Sequence, residues 1–281
     1  MVNFNGNLIK AESVPIAFNN RGLNYGDAVF ETMKVCNGKI YFWEDHYQRL
    51  ISSMKVLKME IPFNFSSEFL AAEILKTIQT SKNKNTFFRA KILIWRNSGG
   101  KYTPKTNIIE FVISVETLDS SEYVLNENKY EVELFEDYFI PSHLLSTLKT
   151  NNKITNVLGS IFAEENGFQN CFLLNENQQV VEALNGNIFL VSGKTIKTPP
   201  LTDGCLNGIM RKQLISIIKE NSEFHLEEAS ISQNAIENAD EIYITNVIQG
   251  IVLIMKYRNK KFGNEVAKLL VLKLNLKIKS S

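Results

Sequence analysis

The chain has 281 residues, 44% of them hydrophobic and 22% charged, which suits one large or two modest folded cores. A net charge of +1 and the absence of a basic run before the tail "KLNLKIKSS" argue against nucleic acid as a partner. No apolar stretch approaches membrane-spanning length and "MVNFNGNLIKAESV" has no leader pattern, so no membrane partner and a cytoplasmic location are expected.

Taken in chain order, "FNGNLI" sets Asn5-Gly6 between apolar residues, and "VCNGKIYF" repeats the device at Asn37-Gly38; both are hairpin signals. "EDHYQRLISSMKVLKM" spaces Tyr47, Leu50, Ile51, Met54 and Leu57 as a helix does, and "SSEFLAAEILKTIQTS" adds a serine cap to a second apolar stripe. "FRAKILIW" and "IIEFVISVETL" read as strands around the turn-rich "RNSGGKYTPKT". The polar stretch 116–129 is the expected linker between a domain of residues 1–115 and one of residues 130–281. Beyond it come strand "YEVELFED", a lysine loop with its helix "NVLGSIFAEENG", and strands "CFLLN", "VVEAL" and "NIFLVSG". Helix "NGIMRKQLISIIKENS", strands within "DEIYITNVIQGIVLIM" and a last helix near "NEVAKLLVLKL" complete the chain. Two α+β domains with a cleft between them fit this order, and ligand sites favour such clefts.

Cys36, Cys171 and Cys205 are odd in number and widely spaced, which suits neither a disulfide framework nor a CxxC metal site. His46, His143 and His225 are equally scattered, so no metal is expected; His143 has a catalytic alternative but reads first as a loop histidine. Four other features bear on chemistry. In "LSTLKTNNKIT" Lys149 follows an apolar approach and precedes a helix, whereas Lys153 is placed about a turn inside that helix, facing solvent. A nucleophilic lysine must lose its proton, which takes partial burial or a cationic neighbour; a lone lysine is ordinarily a surface charge. "PPLTDGCLNGIMRKQLI" opens a helix at Gly208, Ile209 and Met210, whose free amides would suit phosphate, although a plain glycine-rich connection reads the same way. Arg49 borders the apolar face of its helix and has the reach for bidentate phosphate binding, or for an ordinary surface position. Glu182 lies in an apolar β-run, where an acid is costly unless it meets a cation or a donor, or faces water on an edge strand.

Together these stretches resemble the class IV aminotransferase family, the pyridoxal phosphate enzymes of fold type IV. The family includes branched-chain aminotransferases, D-amino-acid aminotransferases and 4-amino-4-deoxychorismate lyases. "NNRGLNYGDAVFET" resembles its N-terminal signature, "EDHYQRL" its phosphate-arginine motif and "LKTNNKITNVL" its lysine motif. "VEALNGNIF" is similar to EGxxxNxF, and "TPPLTDGCLNGIMRK" and "ADEIYITNVIQGI" to two phosphate-loop segments. The resemblance implies a mixed α+β and α/β, two-domain fold of the D-amino-acid aminotransferase type with pyridoxal 5'-phosphate at the domain interface. It implies homodimers and a small-molecule amino substrate. By the same resemblance Lys149 is the catalytic lysine that carries the cofactor as a Schiff base, and Glu182 partners the pyridine nitrogen. Arg49, Asn187, Gly208, Ile209, Met210, Thr245 and Asn246 complete the cofactor set.

Four positions depart from the pattern. Ala28 and Ala183 stand for glycines. Met210 and Asn246 stand for phosphate-binding threonines, Met210 keeping only its N–H and Asn246 an amide in place of the hydroxyl. In addition, Ile154 replaces a tyrosine usual in branched-chain enzymes. The loop "WRNSGGKYTP" resembles the RGSGGRGY loop of the lyases, which makes Arg96, Lys101 and Tyr102, with Tyr25, the substrate-contact candidates; each could equally be a flexible-loop residue. The expected activity is deoxychorismate lysis to 4-aminobenzoate and pyruvate. The alternatives are a D-amino or branched-chain transaminase and, from another class, a non-catalytic dimeric scaffold of the same fold.

Overall fold

The computed structural model describes residues 1–81, 86–120 and 122–280. The chain divides into two units, Met1–Ser121 with Lys149–Asn152, and Glu122–Leu148 with Lys153–Ser281.

The first unit is an antiparallel sheet backed by two helices. Its elements are β1 (Val2–Phe4), β2 (Asn7–Ile9), α1 (Arg21–Tyr25), β3 (Ala28–Cys36), β4 (Lys39–Ile40), α2 (Trp43–Val56), α3 (Ser67–Gln79), β5 (Phe87–Arg96) and β6 (Ile109–Thr117). The strand order is β2-β1-β6-β5-β3-β4. Both Asn-Gly pairs sit in the hairpins with positive φ at each residue (50° and 87° for Asn5 and Gly6, 49° and 78° for Asn37 and Gly38), the backbone that two-residue hairpins require. The Ser66 hydroxyl caps α3 by accepting from the Phe69 N–H at 3.2 Å.

Period-two alternation sorts the long strands into two faces. Val29, Met33 and Val35 of β3, Ala90, Ile92 and Ile94 of β5 and Ile113 of β6 pack with Leu50 and Met54 of α2 and Leu70 and Ile74 of α3. Each such buried aliphatic side chain contributes roughly 1.5–3 kcal/mol. Phe30, Thr32 and Lys34 therefore lie on the opposite face, paired across β5 with Leu93, Lys91 and Arg89.

The second unit comprises β7 (Glu131–Phe135), α4 (Ile154–Glu165), β8 (Asn170–Leu174), β9 (Gln179–Ala183), β10 (Gly186–Ser192), β11 (Thr195–Thr198), α5 (Ile209–Lys219), β12 (His225–Glu228), β13 (Ile231–Ser232), α6 (Gln233–Asn238), β14 (Glu241–Asn246), β15 (Gly250–Ile254), β16 (Lys256–Tyr257), β17 (Lys260–Lys261) and α7 (Glu265–Ser280). Its mixed sheet runs β12-β11-β10-β9-β8-β7-β16-β17, with β14 joining β10 to β15 and β13 pairing with β9. β8 and β15 are buried along their whole lengths, which explains the apolar runs Cys171–Leu174 and Ile251–Ile254.

The division between the units falls within 116–129, the expected linker. Glu116 and Thr117 belong to β6, and Tyr123 is buried, its hydroxyl donating to Val247 O at 2.7 Å; Ser121 lies outside the described residues. The unit boundary is also crossed again at the lysine loop, because Lys149–Asn152 joins the first unit as a short strand beside β3. Phe30 N–H donates to Lys149 O at 2.9 Å, Asn151 N–H to Ala28 O at 3.1 Å, and Val29 bridges Thr150.

Candidate active site

The second unit assembles a cradle with opposite polarity at its two ends. Asn187 of β10 stands directly across from Glu182 of β9 on one side and from Thr245 of β14 on the other. Residues paired in this way share a face, so the three side chains form a row across three strands. Glu182 is buried and its Oε2 accepts from Leu206 N–H at 2.8 Å, while Asn187 Nδ2 donates to Leu206 O at 2.7 Å. Both polar groups of Leu206 are thus pinned, which fixes the loop entering α5.

That helix starts after Gly208 without a side-chain cap, and its first turn presents amides that have no intrahelical acceptor. The first helical bond of the turn is Lys212 N–H to Gly208 O at 3.0 Å. Ile209 and Met210 bury their side chains in the core beside Leu214, so only their backbone faces outward chemistry. A Cβ at Gly208 would collide with Asn187 Oδ1, which accounts for glycine there. Thr245 Oγ1 is buried and, among the described residues, has no hydrogen-bond partner. An orphaned buried hydroxyl is costly and marks a position built for an acceptor.

A buried carboxylate at one end and a hydroxyl with an uncapped helix N-terminus at the other fit a cation-plus-phosphate molecule, as a protonated pyridine bearing a phosphate is. Asn246, the residue aligned with a phosphate-binding threonine, turns its amide to its own loop. Its Oδ1 accepts from Ile248 and Gln249 N–H at 3.1 and 2.9 Å, and its Nδ2 donates to Gln249 Oε1, so the amide is spent on its own turn.

The first unit carries the lysine. Lys149 is half-buried, with Nζ 4.6 Å from the centroid of the Phe30 ring. The next residues hold its segment in place: Asn152 Nδ2 donates to Gly26 O at 3.4 Å, and Gly26, the left-handed end of α1, has no room for a Cβ beside Asn152. Helix α4 begins at Ile154, so Lys153 is its capping position and half-buried, rather than a solvated residue one turn inside.

Arg49 has a partner that its own helix does not reveal. Its Nε and Nη2 form a bidentate pair with Glu31 at 2.7 and 2.6 Å, and His46 Nδ1 donates to the same carboxylate at 2.6 Å. Nε and Nη2 of the fork expected to hold phosphate are thus engaged by Glu31. Burial opposes the charge on Glu31, but Arg49 and then His46 outweigh it and bring the carboxyl down to about 2. Burial likewise lowers the pKa of His46, against the pull of Glu31. The acid inside "AVFETMKV" and the i,i+3 spacing of His46 and Arg49 were the available signals.

Arg96, a substrate-contact candidate, is held in the framework of its unit. It is buried; Nε and Nη2 bind Asp27 at 2.8 and 3.3 Å, Nη2 also donates to Leu57 O at 2.6 Å, and Nη1 to Lys58 O at 3.1 Å and to Asn107 Oδ1. Arg21 binds Asp27 from the other side at 2.8 Å and donates to Gly99 O, Lys101 O and Tyr102 O, which ties down the loop. Lys101 and Tyr102 are exposed, and the Tyr102 ring lies 5.8 Å from that of Tyr25. No group of metal-binding side chains occurs among the described residues, and no helix is long and apolar enough to cross a membrane.

Known proteins share this fold. The profile of amino-transferase class IV matches residues 28–257. A D-alanine aminotransferase of Listeria monocytogenes is 27% identical over 86% of this chain and 82% of its own length. A branched-chain aminotransferase of the thermophilic archaeon Thermoproteus uzoniensis, solved with norvaline, superposes with a TM-score of 0.84 at 21% identity over 97% of this chain and 92% of its own. The 4-amino-4-deoxychorismate lyase of Pseudomonas aeruginosa gives 0.83 at 22% identity over 98% of both chains. The fold is therefore that of the mixed α+β fold type IV enzymes, and the chain belongs to the class IV aminotransferase family of pyridoxal phosphate-dependent enzymes.

Proposed function

We propose that the protein eliminates pyruvate from 4-amino-4-deoxychorismate to give 4-aminobenzoate. The observation that carries this choice is the loop Asn97–Pro104. Gly99 and Gly100 take φ of 117° and 78°, and a Cβ at Gly100 would strike Thr103 O. The paired glycines of the lyase-like "NSGGKY" are thus required by the loop's own shape, which supports reading this segment by its sequence resemblance. Ile154 adds support, since a branched-chain enzyme usually has a tyrosine there. A second reading, amino transfer, is favoured by the D-alanine aminotransferase among the relatives.

Pyridoxal phosphate, when bound, supplies an electron sink. In this reading Glu182 holds the proton on its ring nitrogen, and the Thr245 hydroxyl and the first amides of α5 hold its phosphate, which together fix the ring's orientation. Lys149 Nζ would hold the cofactor and would take the proton from the amine-bearing carbon of the substrate. The carbon–oxygen bond to the enolpyruvyl group then breaks and the ring becomes aromatic. The departing three-carbon unit gains a proton and leaves as pyruvate, so no amino acceptor or oxidant is consumed.

Purified protein given aminodeoxychorismate should release 4-aminobenzoate and pyruvate in equal amounts, and Lys149→Ala should abolish both. Robust amino transfer from an L- or D-amino acid to 2-oxoglutarate, with no 4-aminobenzoate formed, would sink the lyase reading and leave the second one.

A further inference from the structure

Among the described residues 122–129, which form no helix or strand, Tyr123 alone is buried. It is 2% exposed, against 70% for Val124 beside it. One side chain holds its backbone: Asn275 of α7 accepts from Tyr123 N–H at 3.0 Å and donates to Tyr123 O at 2.8 Å. The ring packs against Gly250, where φ is 75° and a Cβ would come within 2.7 Å of it. The hydroxyl donates to Val247 O at 2.7 Å.

Gly250 and Val247 belong to one hairpin. β14 ends at Thr245 and Asn246, opposite Ile251 and Gly250 of β15, and Val247 opens the turn between them. The Asn246 amide fastens that turn from within, by accepting from Ile248 and Gln249 N–H, and Tyr123 fastens it from without. Across the sheet, Gly186 approaches so closely that a Cβ there would meet Thr245 O at 2.6 Å. The start of β14 is fixed as well, because the Glu241 carboxylate accepts from Val266 and Ala267 N–H in the first turn of α7, at 2.9 and 3.1 Å. A closed ring of bonds therefore runs from Glu241 along α7 to Asn275, through Tyr123 to Val247 and back along β14. The buried Thr245 hydroxyl, with no partner among the described residues, lies on that ring two residues before Val247. A hydroxyl binds an acceptor well only where its strand is held in place, so whatever fixes the end of β14 also sets the strength of that bond.

We propose that Tyr123 is a positioning residue for the phosphate cradle. Through Val247 it holds the end of β14, and with it the Thr245 hydroxyl, so that cofactor binding and closure of the 122–129 stretch support each other. The inference rests on Thr245 holding the phosphate, and not on which reaction follows. Such coupling is reciprocal: the factor by which the closed clamp tightens the cofactor is the factor by which the cofactor opposes clamp opening.

Full-length protein dialysed to equilibrium against graded pyridoxal phosphate, or against pyridoxal, which lacks the phosphate, tests this. Tyr123→Phe keeps the ring and loses only the hydroxyl. It should bind pyridoxal phosphate about fivefold more weakly, the worth of one neutral hydrogen bond, while pyridoxal changes less than about twofold. Thr245→Val should show the same selectivity. Saturating pyridoxal phosphate should slow amide exchange of the Tyr123 N–H about fivefold in wild-type protein and leave it unchanged in Tyr123→Phe. Equal loss of both ligands in Tyr123→Phe, or an unaltered affinity for pyridoxal phosphate, would overturn the coupling while a selective Thr245→Val kept the phosphate assignment. A Thr245→Val variant that binds pyridoxal phosphate as the wild type does would overturn that assignment and the coupling with it. Neither measurement needs turnover, so both outcomes stand apart from the fate of the lyase reading.

Discussion

Asp27 accepts from two guanidinium groups, so the Arg21–Asp27–Arg96 cluster carries one more positive charge than its carboxylate cancels. The remaining N–H groups are satisfied by carbonyls of Leu57, Lys58, Gly99, Lys101 and Tyr102, which turns both arginines into clamps on loops. Removing one partner from such a network leaves buried carbonyls unpaired, at a cost of about 3 kcal/mol. Arg96→Gln should therefore lower the urea midpoint of unfolding sharply, while the KM of the folded fraction changes little. A variant of wild-type stability with a greatly raised KM would return Arg96 to the substrate site. Sequence spacing alone could not distinguish these roles, because an arginine at the head of a flexible-looking loop carries no mark of the carbonyls that will surround it. Lys149 and Glu182 stand out as candidates because each sits in a run whose apolar neighbours make a charge conspicuous. Glu31 sits in a similar run and was absorbed into a motif.

At the scale of elements, helices α2, α3, α5 and α7 and both Asn-Gly hairpins followed from local pattern, since each is specified within its own dozen residues. The short strands β12, β13 and β16 depend on partners far along the chain, β11, β9 and β7, and local periodicity does not show them. The N-terminus of α5 is held by side chains from the neighbouring strands. Asn187 and Glu182 grip Leu206, and Gly208 then passes Asn187 with no space to spare. Gly208→Ala must displace the Asn187 side chain, which breaks its bond to Leu206 O and shifts the first amides of the helix. Retention of pyridoxal phosphate through dialysis should fall about tenfold, consistent with loss of one or two charge-assisted bonds. The fold should persist, because the apolar face of α5 (Leu214, Ile217 and Ile218) is untouched. Unaltered cofactor affinity in that variant would remove the α5 amides from the phosphate assignment.

For the whole molecule, the chain returns to the first unit at Lys149–Asn152, a topology invisible in a sequence whose composition shifts only once, near residue 120. That segment pairs with β3, the strand that also carries Glu31 into the cluster with His46 and Arg49. The stability of this region therefore follows the protonation of two buried groups. Folded Glu31 titrates at about 2 against 4.5 when exposed, so between those values the unfolded chain binds more protons and acid favours it. The pKa of folded His46 lies below the ordinary 6.5, so from pH 6.5 downward the unfolded chain again takes up the proton first. Both effects have the same sign: stability is complete above pH 6.5, begins to fall as His46 charges in the unfolded chain, and loses the Glu31 contribution as pH drops from 4.5 toward 2. The Glu31 share is on the order of 3 kcal/mol, taking about 1.4 kcal/mol for each unit of displacement. Urea midpoints measured from about pH 7.5 to about pH 3.5 should decline steadily below the ordinary histidine value of 6.5. In Glu31→Gln the curve should start lower at neutral pH, because Arg49 then lacks its counter-charge, and should flatten below 4.5. A wild-type midpoint that holds level or rises between pH 6.5 and about pH 4 would show that the buried triad does not govern the acid response of the fold.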